Sequence, residues 1–307
     1  MACFRRMLHA IDHVVIRVRD LDAAAQDYAR LLGRAPSWRG VHPGAGTANA
    51  LFRLENSYVE LLAPMSEGPL AHALRDQLAS HGEGLAALAF ATDDAAVFAA
   101  RLRASGIGAS EPVEGEGREV TSGAVRRWRS TFLPAAATRG PLLFAIEHLS
   151  PEGALPVAAP TGPVAATLHA LDHVVVASED LEGAGRFYGA ALGLRLALDR
   201  RFEKRGLRIL FFRVGGVTLE IAGPLEPPAA PAAADRLSGL AYRVADVAAA
   251  RARRASAGID VSPARPGFKP GTLVCSVRAA TASVPTLLIG PAGPASEAAA
   301  TDAADRR

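Results

Sequence analysis

LHAIDHVVIRVRDLDAAAQDYARLLG, Leu8–Gly33, returns later in the same chain as LHALDHVVVASEDLEGAGRFYGAALG, Leu168–Gly193. The offset is 160 residues throughout, setting His13 against His173 and Gly33 against Gly193. It also sets Glu60 in SYVELLAP against Glu220 in VTLEIAGP. A register held over so long a span identifies a tandem duplication, and a repeat of this kind decides the fold before any single residue does. Pro151–Thr167, rich in Pro and Ala, reads as the linker between the copies.

Each copy divides again. Asp12–Val18 alternates as a strand, with His13, Val15 and Arg17 on one face. Asp20 then caps a helix that runs to Gly33, with Leu21, Ala24, Ala25, Tyr28 and Leu32 as its apolar stripe. Three strand-like pieces follow, the last over Ser57–Leu62. After a connecting segment the pattern restarts: a strand at Leu85–Asp94, a helix at Ala95–Ser105 stopped by Gly106, and strands ending in Pro141–Leu149. GLAYRVADV, an Arg-rich helix ending near Gly258 and VPTLLIGP repeat this in the second half. The fold class is therefore α+β, with four strand–helix–strand–strand–strand (βαβββ) modules in two tandem pairs. The expected boundaries are 8–150, a linker at 151–167, 168–292, and a flexible tail at 293–307.

Composition narrows the function classes. Half of the 307 residues are apolar and 21% are charged, which supports a sizeable core and excludes a disordered chain. No apolar run approaches the roughly 20 residues of a membrane-spanning helix. Met1–Met7 has two arginines but no apolar stretch after them, so no secretory signal is expected. Cys3 and Cys275 are too few and too distant for a disulfide framework, and fit inert thiols in a cytoplasmic protein. Net charge is only +3, and the arginine clusters at Arg126, Arg127 and Arg129 and at Arg251, Arg253 and Arg254 are local. That balance argues against nucleic acid as a partner. Neither cysteine sits in a nucleophile motif and Gly-x-Ser-x-Gly is absent, so hydrolase chemistry is not expected.

The opening DHVV, the helix ending in LG and the strand ending in a glutamate resemble the vicinal oxygen chelate superfamily. That superfamily includes glyoxalase I, bleomycin-resistance proteins, methylmalonyl-CoA epimerase and extradiol dioxygenases. His42–Pro64, HPGAGTANALFRLENSYVELLAP, resembles its glyoxalase-like branch, where a Gly-Thr-x-Asn loop precedes the glutamate strand. The resemblance runs from Leu8 to about Pro291. It implies that each pair of modules curls into a half-open mixed β-barrel cup with helices outside. It also implies a divalent metal held by four inward positions, two per module.

Carried onto this sequence, the first-half ligands are His13, Glu60 and Glu147, with Ala87 at the fourth position. In the second half His173 and Glu220 match, while Gly239 and Leu287 stand where their partners belong. The metal would be Zn, Ni, Co, Mn or Fe, with waters or substrate oxygens completing its shell. Glu60 or Glu147, with Glu147 preferred, would be the general base, and Tyr58, Arg17 and Asn49 would touch substrate. His42 and His81 are loop candidates for the missing ligand. A +2 ion with two carboxylates is formally neutral, which favours isomerase or lyase work on a chelated carbonyl or hydroxy-carbonyl compound over ring-cleaving oxygenation. The competing readings are a metal-free small-molecule binding or resistance protein and an extradiol-type dioxygenase. The second half reads as a degenerate copy. A homodimer is compatible with the layout, but no cup requires one.

Overall fold

Asp20 accepts hydrogen bonds from the amides of Asp22 and Ala23, and Gly33, at φ 78°, closes the helix between them. In the computed structural model, which describes residues 7–226, 228 and 232–292, this helix follows the first strand of an eight-stranded barrel. The first half runs β1 (Ala10–Arg17), α1 (Leu21–Leu32), β2 (Trp38–His42), β3 (Thr47–Arg53), β4 (Tyr58–Pro64) and α2 (Pro69–His81). It continues as β5 (Gly84–Ala91), α3 (Ala95–Ala104), β6 (Val113–Glu119), β7 (Val125–Phe132), α4 (Ala135–Thr138) and β8 (Leu142–His148). Cys3 and the expected tail lie outside the described residues.

The strand order is β1-β4-β3-β2-β6-β7-β8-β5, and β5 returns to β1. The expected half-open cup is thus closed here, by a short pairing of Gly40 with Glu119 and Val41 with Arg118 between β2 and β6. The β1–β4 and β5–β8 pairs are parallel and the other pairs of the barrel antiparallel, giving the mixed sheet that the module order requires.

Between β4 and β5, where the repeat pattern predicts only a connection, the chain folds as α2. Pro69 suits its first turn and Gly82 follows its last residue, while Ala71, Leu74 and Leu78 make the buried stripe. Leu74 and Leu78 pack with Val15, Leu62, Ala87, Ala89, Phe144 and Ile146, so α2 plugs one end of the barrel. The linker also takes part in the core: Leu155 is buried against Trp38, Leu51 and Tyr58.

The second half runs β9 (Ala170–Ala177), α5 (Leu181–Gly185, continued by a wider turn over Arg186–Ala191), β10 (Arg195–Phe202), β11 (Leu207–Val214) and β12 (Val217–Pro224). It ends with β13 (Arg236–Arg243), α6 (Val247–Ser256), β14 (Arg265–Pro266), β15 (Thr272–Val277) and β16 (Thr286–Pro291). Its eight strands form an open sheet with β10 and β14 at the edges. The halves share one apolar core, in which Tyr28, Phe52 and Leu88 join Leu171, Tyr188 and Tyr242. The Tyr28 hydroxyl crosses to the Thr281 carbonyl at 3.0 Å. Arg254 on α6, fully buried, donates to the carbonyls of Leu31, Ala166 and Ala250 and so ties α1, the linker and α6 together.

Candidate functional site

The alternation of β1 and β4 turns His13 and Glu60 to the inside of the barrel. There they line a cavity of about 370 Å³ together with Tyr58, Asn49 and His42. Its walls are largely apolar and aromatic: Trp38, Trp128, Phe132 and Phe144 stand around them, and Leu70 and Leu74 of α2 reach in from one end. A mostly apolar cavity of this size with a few convergent polar groups has the form of a small-molecule site.

Two glycines shape the walls. A Cβ on Gly40 would overlap the Trp38 indole nitrogen, and one on Gly115 would overlap that of Trp128. Each indole therefore lies against bare backbone of a strand at these positions. The two rings are the chain's only tryptophans.

The polar groups form one connected chain. Asn49 Nδ2 donates to Glu60 Oε1 at 2.8 Å and lies 3.2 Å from His42 Nε2. An amide nitrogen can only donate, so His42 Nε2 is the acceptor, and Nδ1–H points to Thr47 Oγ1 at 2.8 Å. Burial lowers the His42 pKa below its ordinary value; Glu60 opposes that shift and Arg126 adds to it, so His42 is neutral near pH 7. Asn49 Oδ1 is buried with no partner. The second Glu60 oxygen, Oε2, lies 3.5 Å from His13 Nε2.

His13 is held from behind. Its Nδ1–H donates to Asp12 Oδ1 at 2.6 Å, while His148 Nε2 lies 2.9 Å from the other Asp12 oxygen. Burial alone would raise the Asp12 pKa, but the hydrogen bonds and charges of these two histidines outweigh it and keep Asp12 ionised. The His13 ring also stacks on Tyr58, with centroids 4.4 Å apart and planes at 16°. Ring orientation and tautomer are thus fixed by neighbours, as a working histidine needs.

Other expected residues fall elsewhere. Glu147 points out of the barrel: its carboxylate accepts from the Ala95 amide at the start of α3 at 3.1 Å and lies 3.8 Å from Arg129. On β8 it is Phe144 and Ile146 that face the cavity. Arg17 donates to the carbonyls of Gly82 and Leu85 at 2.7 and 3.0 Å, bracing the turn from α2 into β5. His81 is exposed on the last turn of α2 and does not line the cavity. His42, only a loop candidate from sequence, ends β2 and does line it.

Register shows why the expected metal set is incomplete. In the first module His13 pairs with Tyr58 and Val15 with Glu60. In the second, Ala87 pairs with Leu142 and Ala89 with Phe144. Phe144 therefore stands where Glu60 stands, and Ala87 where His13 stands. Two of the four implied positions carry no donor, and one Glu60 oxygen is engaged by Asn49. Among the described residues no three His, Cys, Asp or Glu side chains are arranged to hold an ion. The residues present do not fit the four-ligand metal that the sequence resemblance implies.

The second half keeps a similar remnant. His173 Nδ1 lies 2.9 Å from Asp172 and 3.8 Å from Glu220, and Arg243 bonds the second Asp172 oxygen at 2.8 Å. Gly239 and Leu287 hold the opposing positions, where neither offers a ligand atom. Burial opposes protonation of His173, but Asp172 and Glu220 outweigh it and raise its pKa; burial raises that of Glu220.

Comparison with known proteins shows the family and the fold. The family model described as glyoxalase-like domain matches residues 11–167, slightly more than half of the chain, and the chain belongs to that family. Residues 172–275 match the glyoxalase/bleomycin resistance protein/dioxygenase superfamily. An ethylmalonyl-CoA/methylmalonyl-CoA epimerase from Cereibacter sphaeroides is 32% identical over 110 residues, spanning 34% of this chain and 80% of the epimerase. A mutant of 4-hydroxymandelate synthase from Streptomyces coelicolor superposes with a TM-score of 0.64 at 16% identity, over 93% of each chain. A Mn(II)-bound glyoxalase from Novosphingobium aromaticivorans gives 0.61 at 16% identity, over 92% of this chain and 82% of the other. These two superpositions establish the fold. Among the described residues no helix is long and apolar enough to cross a membrane.

Proposed function

We propose that the first-half cup binds a small carbonyl compound with a flat apolar body and moves a proton on it using Glu60, without a resident metal. The observation that carries this reading is the asymmetry of the Glu60 carboxylate. Oε1 is tied to Asn49 at 2.8 Å, whereas Oε2 faces His13 Nε2 at 3.5 Å, and all three residues line the cavity. Asn49 fixes the carboxylate and leaves Oε2 to accept a proton from the carbon next to the carbonyl. The C–H electron pair then moves into the carbonyl to give an enolate, and where the substrate carries a neighbouring hydroxyl, return of the proton to the other carbon of that enediolate completes an isomerisation. His13, oriented by Asp12, is placed to exchange that proton with Glu60. The similarity to an epimerase supports proton transfer beside a carbonyl as the class of reaction.

The aromatic walls also favour a second reading, sequestration of a flat compound without chemistry. Proton NMR in D2O separates the two, using a panel of aryl ketones and arylpyruvates with the wild-type protein and Glu60→Gln. Faster loss of the α-proton signal with wild type than with the variant supports the enzyme. Equal loss, together with ligand-dependent quenching of tryptophan emission, leaves sequestration.

A further inference from the structure

Arg126 is 7% exposed, yet no described carboxylate lies within 4.0 Å of its guanidinium. It sits on β7 facing the cavity, and its guanidinium lies over the Trp38 ring at 5.6 Å and the Tyr58 ring at 5.7 Å. Its neighbours on the strand behave differently. Arg127 and Arg129 face outward and pair with Glu116 and Glu114 across β6, at 3.1 and 3.2 Å. Those two glutamates line the cavity edge but are engaged on the outside. Glu60, the remaining carboxylate of the lining, is held by Asn49 and does not reach Arg126.

The guanidinium has the Tyr58 side chain as a neighbour, but a hydroxyl does not balance its charge, and a cation on a largely apolar wall favours an opposite charge beside it. Contact with aromatic faces compensates only part of that charge. Arg126 is therefore a cation kept ready on the wall of a ligand cavity, between two rings that would hold a flat group.

We infer that the ligand of this cup is an organic monoanion, and that Arg126 receives its carboxylate while its apolar body lies among Trp38, Trp128 and Phe144. This rests on the reading of the first-half cup as a small-molecule site and deepens it by assigning the ligand's charge. A single arginine matches a single negative charge. A phosphate dianion would leave an uncompensated charge beside Glu60, so a carboxylate is the better fit. A carboxylate also suits the planar, two-pronged donor face of arginine.

The two tryptophans give a direct readout, since both line the cavity. The probes are 3-phenylpropanoate and its neutral amide, titrated against full-length protein with emission recorded from the indoles. Wild type is expected to bind the carboxylate at least about tenfold more tightly than the amide. Arg126→Gln is expected to lose that preference while still binding the amide, which also shows that the variant has folded. Arg126→Lys should retain part of the preference. Equal affinities in wild type, or a preference that survives in Arg126→Gln, would overturn the assignment of charge and leave the cup reading intact. Failure of both probes to bind wild type would overturn the cup reading and this inference with it.

Discussion

Phe144 occupies in the second module the position that Glu60 occupies in the first, each paired with the residue two beyond the strand position of Ala87 and His13 respectively. An apolar ring and a methyl group thus replace two donors at the inner wall. Restoring both should restore the ion. The double variant Ala87→His, Phe144→Glu is expected to take up about one divalent ion per chain, and its melting temperature should rise with added Mn2+ or Zn2+. Wild-type melting should not respond. An equal response in both proteins would mean that register does not explain the missing site.

The indole of Trp128 lies on the bare backbone of Gly115, and both residues line the cavity. Gly115→Val is expected to displace the ring and destabilise the fold by about 1–3 kcal/mol, the usual cost of overpacking. Tryptophan emission should shift to the red as the indole moves toward water. Denaturant titration and the emission maximum check this together; an unchanged maximum contradicts the wall assignment.

Arg254 ties α6 to the end of α1 and to the linker through three carbonyls while fully buried. Truncation leaves those acceptors unpaired, each costing about 1–3 kcal/mol if no water replaces the donor. Arg254→Ala is therefore expected to lose at least about 3 kcal/mol, more than any exposed arginine such as Arg127. Parallel denaturant titrations of the two alanine variants test the ranking.

Asp172 is held down to about 2: burial would raise it, but hydrogen bonds from His173 and Arg243 prevail. Its ordinary value is 3.8, so between these values the unfolded chain binds more protons than the folded one. The contribution is complete above about pH 4 and is lost as pH falls toward about 2. Asp172→Asn should therefore cost about 1–3 kcal/mol near neutrality, with the deficit shrinking across that acid window. A deficit as large at about pH 2.5 as at about pH 7 would assign the effect to something other than the charge.

The duplication made most of the fold legible, because two copies of one motif fix the element order and the helix limits at Asp20 and Gly33. Strand alternation likewise placed His13, Tyr58 and Glu60 on the inner face, whereas Asn49, which the sequence reading puts in a loop, lies on β3. Glu147 was not legible. β8 is buried on both sides, so Leu143, Phe144, Ala145 and Ile146 are all apolar and parity cannot be read from them; only pairing with β5 decides it. Arg126 and Trp128 were hidden in the opposite way. In the run RRWR both look like part of a solvated charge cluster, although alternation alone separates the inward Arg126 and Trp128 from the outward Arg127 and Arg129. α2 escaped notice because it interrupts the repeated modules, though Pro69, Gly82 and the spacing of Leu74 and Leu78 mark it.

On the reading proposed above, the first-half cup works from protein side chains alone. The most direct measurement is metal content by mass spectrometry after incubation with excess Mn2+, Zn2+, Ni2+, Co2+ and Fe2+ and desalting, for wild type beside His13→Ala. The account predicts well below one ion per chain in both proteins, with no difference between them. Near-stoichiometric metal in wild type that is lost in His13→Ala would contradict it.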